Sequence, residues 1–259
     1  MAAAGLRDWF RFVGRELEPH FDGDARAVMA ELVAETWRRR YEDARKTWHW
    51  LPLAEERAVS RWAAGLYRVH PRSRGMWLWD GVGGPPTRAG DWLAALRAVA
   101  PATADERWRE LTVHLGEWLI VLTEELPARL PRANAVLGDI CFRAGVRYAD
   151  AVCRLMAIER GGIRPDEAIE VLRMGEYLFR VNPEHQSGVE GEGGYIVGDA
   201  CPWHPRPGWG RMHCGIFGQF QSGIASVFGL RYNLTHTIPK HGGDICRIDL
   251  KPVPLRVHR

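Results

Sequence analysis

Residues Leu230 to Leu250 read LRYNLTHTIPKHGGDICRIDL. Two runs rich in strand-forming residues, Leu230 to Ile238 and Ile245 to Leu250, flank Pro239-Lys-His-Gly-Gly-Asp244. Proline and paired glycines interrupt both helix and strand, so the stretch predicts an antiparallel hairpin with a turn at its centre. Alternation then sets Asp244 and Cys246 on one face and Asp249 on the other. Asp244 also suits closure of the turn.

Upstream of the hairpin, Arg211 to Phe228 has helical character, although Gly215, Gly218 and Gly223 each lower the local helix propensity. Earlier still, Ala133 to Arg160 carries Val136, Leu137, Ile140, Ala144, Tyr148 and Val152 at helical spacing and meets Gly161-Gly162. Pro165 with Asp166 and Glu167 opens the next helix, because proline suits a first turn and acids suit its positive end. Tyr177 to Val181 and Tyr195 to Val197 predict short strands, separated by a flexible stretch from Gly188 to Gly194. Residues 131–259 are therefore expected to form an α+β domain with a small antiparallel sheet.

Residues 1–130 predict a helical domain. Val28, Met29, Leu32, Val33, Trp37 and Tyr41 form an apolar stripe between Asp24 and Arg45. Thr103 to Glu106 reads as a capping box, ahead of Trp108, Leu111, Leu115, Trp118, Leu119 and Leu122 on one side of a long helix. Between these helices lie Gly81, Gly83, Gly84, Pro85 and Pro86, which mark a loop or a joint. Trp48, Trp50, Trp77 and Trp79 flank that loop and suit either packing or the wall of a pocket for a flat ligand.

The charge balance restricts the partners. Lys and Arg total 35 against 32 for Asp and Glu, a net charge of +3 spread along the chain. No face is expected to follow a phosphate backbone, and Arg38-Arg39-Arg40 reads as a solvated helix surface. The opening MAAAGLRDWF has no apolar run of signal-peptide type, and no window matches a bilayer span. Five cysteines, odd in number and scattered, suit a reducing compartment. The expectation is a cytoplasmic protein, with neither nucleic acid nor membrane as partner, acting on a small-molecule substrate, with a homodimer as the oligomer to test.

Chemistry concentrates between Cys201 and Cys246. Cys201-Pro-Trp-His204, His213-Cys214, His236, His241 and Cys246 place three of the five cysteines and four of the ten histidines within 46 residues. A thiolate is a nucleophile, and an imidazole can lower its pKa and carry its proton, so Cys214 with His236 or His241 as base suits attack on a C=N or acyl carbon. On a helix, His213 would point away from its neighbour Cys214. The same donors suit zinc, with Cys201 and His204 at ligand spacing and Cys214 and Cys246 completing the set. Cys201-Pro202 suits an axial thiolate to haem. Packing is the fourth reading, with Cys214 and Cys246 buried and the histidines on a surface hairpin. Glu184, His185, Glu190 and Glu192 form a rival polar loop that could close over a pocket.

From about residue 133 to 250, the order helix (GDICFRAGVRYAD), helix, strand, cysteine, glycine-bearing helix and GGDICRIDL hairpin resembles the 4-vinyl reductase domain. It is also similar to the L-2-amino-thiazoline-4-carboxylic acid hydrolase family. Cys214, Thr237, Gly242, Gly243 and Cys246 stand in the matching places. The leading expectation is an enzyme that hydrolyses or cyclises a C–N or C=N bond, as the resemblance to the thiazoline hydrolases implies; the alternative, which the first family implies, is a non-catalytic small-molecule, metal or haem-binding sensor or carrier, and no resident cofactor is expected ahead of zinc or haem. Cys214, His236, His241 and Cys246 are then the catalytic candidates. Trp203, His213, Gln219, Thr237 and Asp244 are the substrate-binding candidates, with Cys201 and His204 reserved for a metal.

Overall fold

The computed structural model describes residues 9, 12–21, 28, 31–32, 35, 104–179, 186–199, 201–204 and 206–253. The chain divides into two compact units, Met1–Pro131 and Arg132–Arg259. Most of the expected helix between Asp24 and Arg45, the Arg38–Arg40 run, the Gly/Pro loop with its tryptophans, Thr103 and the pair Glu184-His185 lie outside the described residues.

In the first unit, residues 28, 31, 32 and 35 are helical, and Leu32 is buried. Helix α1 (Ala104–Glu125) forms where the periodicity predicts it. Leu115, Trp118, Leu119 and Leu122 are buried, and so are Ile120 and Val121, so burial extends beyond the expected stripe. The buried Thr123 hydroxyl donates back to the carbonyls of Leu119 and Ile120 at 3.0 and 2.9 Å, which satisfies it inside its own helix. Pro127 follows in a 3₁₀ turn, Leu126–Ala128, where the missing N–H ends the α-helical ladder.

The second unit contains α2 (Ala133–Met156), α3 (Pro165–Phe179), β1 (Gln186–Glu190), β2 (Gly193–Gly198), α4 (Arg211–Val227), β3 (Leu230–His236), α5 (Ile238–His241) and β4 (Cys246–Pro252). Its four strands form an antiparallel sheet in the order β1-β2-β4-β3, giving an α+β architecture. The terminal hairpin pairs Leu230 with Pro252, Tyr232 with Leu250 and Leu234 with Ile248. Its register shifts between Leu234 and His236. The connection is not a bare loop, because its first residues form the short helix α5.

Two other local expectations change. Tyr177 to Val181 reads as a strand, yet α3 remains helical to Phe179. Ala168, Ile169 and Leu172 already bury a helical face, and extending a helix anchored in this way outweighs the strand propensity of a few residues. Gly188 to Gly194 reads as a flexible stretch, yet it spans a hairpin in which Val189 pairs with Gly194. Gly188 lies so close to Tyr195 that a Cβ would sit 3.1 Å from the ring, so the aromatic group covers the glycine and supplies packing the glycine lacks. In α2, Ala157 adopts a left-handed conformation and Ile158 N–H bonds Cys153 O at 2.9 Å, ending the helix before Gly161-Gly162.

One face of the sheet packs on helices. Ile196, Leu230, Tyr232, Ile248 and Leu250 meet Ala149, Val152 and Cys153 of α2, Ile169 and Leu172 of α3, and Ile224, Ala225 and Phe228 near the end of α4. Cys141 and Cys153 belong to the buried stripe of α2. The glycines that weaken the helical reading of α4 have different roles. A Cβ on Gly223 would lie 2.1 Å from Phe142 O, and one on Gly145 would lie 1.9 Å from Phe220 O, so α2 and α4 cross backbone to backbone. Gly215 by contrast has nothing within 4 Å of its Cβ position.

Replacing Gly145 or Gly223 with alanine should therefore lower stability by about 3 kcal/mol, since backbone cannot yield as a side chain can. Gly215→Ala should raise stability by about 0.5–1 kcal/mol through helix propensity alone. Urea unfolding of the three variants measures both directions. Equal effects at all three positions would refute the close crossing.

Candidate functional site

Helix α4 begins at Gly210, whose extended backbone turns the chain into the helix and whose N–H donates to His213 Nδ1 at 3.0 Å. His213 is thereby fixed as an acceptor at that nitrogen and stacks on Trp209, with ring centroids 5.2 Å apart. Trp209 in turn meets Trp203 at 4.9 Å, and Trp203 meets the edge of Phe217 at 4.7 Å. These rings pin the irregular segment containing Cys201 and Trp203 to the first turns of α4, the region that carries Cys214. Large aromatic surfaces supply most of that attachment, because both tryptophans are buried.

From the opposite direction, β4 begins with Cys246, whose Sγ accepts the Ile238 N–H at 3.5 Å. The thiols of Cys201, Cys214 and Cys246 thus converge from three separate segments. Cys214 is influenced electrostatically by both other thiols, and Cys201 by Cys246. All three are free thiols and half-buried. Burial pushes the Cys214 thiol up to about 11, with the Trp209 indole acting in the opposite direction. Burial also raises Cys201, against backbone N–H groups of Trp203 and His204 that favour its thiolate. Cys214 is consequently a thiol rather than a thiolate at neutral pH.

The remaining predicted residues are dispersed. His236 and His241 stack on one another at 4.7 Å. His236 Nε2 bonds Gly242 O at 3.1 Å, and His241 Nδ1 accepts the Thr237 N–H at 3.0 Å. Both imidazoles therefore serve the β3–β4 connection, and neither is among the groups that act on Cys214. Thr237 is buried beside them. Gln219 is exposed on α4 and faces Gly138 of α2, while His204 and Asp244 are exposed. Asp244 precedes β4, and Asp249 is tied to Arg247 Nε at 2.9 Å on the other face of the strand. Among the described residues, no three His, Cys, Asp or Glu side chains are gathered as metal ligands. The zinc set of Cys201, His204, Cys214 and Cys246 is accordingly not gathered as a metal site among the described residues.

Three further residues join the cluster. Trp209 lines it directly. Tyr232 is buried, donates its hydroxyl to Gln221 Oε1 and is raised well above its ordinary value by burial, with Glu176, Cys246 and Cys214 adding to the effect. Glu176 is buried on α3 and pushed up to about 8 by desolvation, with Arg173 pulling it back. The sequence does contain a signal for Glu176. Ala168, Leu172 and Glu176 recur every fourth residue on one buried stripe, which becomes readable once α3 is carried past Gly175.

No protein-family profile matches the chain, and neither a curated protein nor a solved structure matches it.

Glu176 gives the fold a pH dependence. Its folded value of about 8 lies above the ordinary 4.5, so the native state holds a proton that the unfolded chain releases between these values. Its contribution is fully present below the lower value and is lost as pH rises through the upper one. Stability should fall by a few kcal/mol, on the order of 4, between pH 4.5 and 8, and Glu176→Gln should flatten that slope. Urea titrations across the range test this, and an unchanged slope in the variant would assign the dependence elsewhere.

Proposed function

We propose that Arg132–Arg259 is a small-molecule-binding module of 4-vinyl-reductase type, with its ligand at the junction of α4, the β3–β4 connection and the Trp203–Trp209 segment. The observation that carries this reading is the convergence of three free thiols from three segments beside buried aromatic rings. Planar apolar walls with a few polar groups at one end suit recognition of a small organic molecule. The α+β order and the helix-covered antiparallel sheet support this reading.

Binding is preferred to thiolate chemistry because burial keeps Cys214 protonated and the nearby imidazoles are engaged in the hairpin connection. The second reading is hydrolysis or cyclisation of a C–N or C=N bond with Cys214 as nucleophile. It is favoured by the position of this thiol in the first turn of a 17-residue helix, where the positive end of the dipole favours an anion once a ligand completes the site.

Two measurements separate the readings. At neutral pH, iodoacetamide should modify Cys214 slowly, with a thiolate fraction about a hundredfold below that of an ordinary thiol. Incubation with L-2-amino-thiazoline-4-carboxylate should yield no ring-opened product by mass spectrometry. Rapid alkylation of Cys214, together with a product gaining one water and abolished by Cys214→Ser, would establish the hydrolase reading instead.

A further inference from the structure

Helix α4 lies along the terminal hairpin, and their alignment can be followed residue by residue. A Cβ on Gly218 would sit 2.9 Å from Leu234 Cδ1 and 3.8 Å from the Tyr232 ring, while Gln221, about one turn on, accepts the Tyr232 hydroxyl. Advancing along α4 therefore means receding along β3, and, because β4 is antiparallel to β3, advancing along β4. Leu234 pairs with Ile248, which sets the level of Gly218 on both strands. From that level, four residues back along the helix reach Cys214 and two residues back along the strand reach Cys246, steps of about 6 and 6.5 Å.

Both residues face the space between the two elements. Cys214, Gly218 and Gln221 stand at i, i+4 and i+7 on one side of α4. Cys246 alternates with Ile248 and Leu250 on the helix-covered side of β4. Their electrostatic influence agrees with this placement. Neither is in a disulfide, and both are half-buried, next to the exposed side chains of Met212 and Ile245. Cys141 and Cys153, by contrast, are 2% exposed in the core face of α2.

We propose that Cys214 and Cys246 form a reversible disulfide that ties the first turn of α4 to the start of β4, with a small-molecule disulfide as the oxidant. The Cys246 thiolate attacks one sulfur of the oxidant and expels a thiolate, leaving a mixed disulfide. The Cys214 thiolate then attacks the Cys246 sulfur and expels the second thiolate. The protons of the two protein thiols pass to the two leaving thiolates, so two protein thiols are oxidised and one disulfide is reduced to two thiols. Cys246 acts first because its Sγ receives the Ile238 N–H, whereas burial keeps Cys214 protonated at neutral pH. The second step is then the slow one, and a mixed disulfide on Cys246 precedes the cross-link. This pairing does not depend on the identity of any ligand.

The test equilibrates the full-length chain with graded ratios of oxidised to reduced glutathione, caps it with N-ethylmaleimide and digests it with trypsin. Arg211, Arg231, Lys240 and Arg247 separate Cys201, Cys214 and Cys246 into three peptides. The peptide from Met212 to Arg231 should be found joined to the peptide from His241 to Arg247, and dithiothreitol should release both. The link should form at a glutathione ratio roughly tenfold or more below that needed in denaturing urea, because the fold brings the sulfurs together. Cys201→Ser should leave the link unchanged, and Cys214→Ser should hold glutathione on Cys246. Protection of Cys141 and Cys153 from the maleimide reports that each variant is folded. Glutathione mixed disulfides without a cross-link, a cross-link through Cys201, or equal ratios in buffer and urea would each overturn the pair.

Discussion

Where α2 and α4 cross, the Gly145 and Gly223 Cβ positions fall against the carbonyls of Phe220 and Phe142, so the two backbones meet with no side chain between them. Close packing of this kind fixes the separation and rotation of two helices more strictly than interdigitated leucines do, since the contacting atoms have no rotamers to adjust. With α4 held in this way, its other flank is set on the sheet. Gly218 lies against Leu234, with the Tyr232 ring beside it, and Ile224, Ala225 and Phe228 close the core over β3 and β4. The position of Cys214 relative to Cys246 is thus a consequence of glycines about one and two and a half turns further along the helix.

This explains why the same glycines mislead when read by propensity. In isolation, Gly218 and Gly223 lower the helical tendency of α4, and the compensation for that loss comes from tertiary packing that the local sequence does not encode. The terminal hairpin was the most legible element, because strand-forming runs and a Pro/Gly turn agree there at every level. The stretch after Gly175 was illegible for the converse reason. Tyr177 and Phe179 have strand propensity, but they follow a buried helical face that extends the helix to Phe179. The β1–β2 hairpin lacks apolar alternation, and its backbone pairing is legible only through Tyr195 covering Gly188.

For the site, residue concentration in the sequence marks the neighbourhood, and the structure shows which of those side chains share local bonds. Cys201, Cys214 and Cys246 do converge, but the histidines close in sequence are engaged elsewhere. A neutral imidazole that accepts a backbone N–H, as His213 and His241 both do, is held in one tautomer by the local turn. Such bonds form between residues three or four apart, whereas a Cys–His pair across helix and hairpin would need both partners delivered by tertiary structure. Glu176 and Tyr232 are not legible in the sequence, because a buried carboxyl and phenol look like surface residues until the helix and strand that carry them are placed.

The protonation states follow from the same arrangement. Desolvation disfavours the charged form, and it raises Cys201, Cys214, Tyr232 and Glu176 together. Local donors oppose it for Cys201 and Cys214 without overcoming it. A set of neutral donors and acids enclosed by aromatic rings interacts weakly with water and strongly with an oxygen acceptor that enters dry.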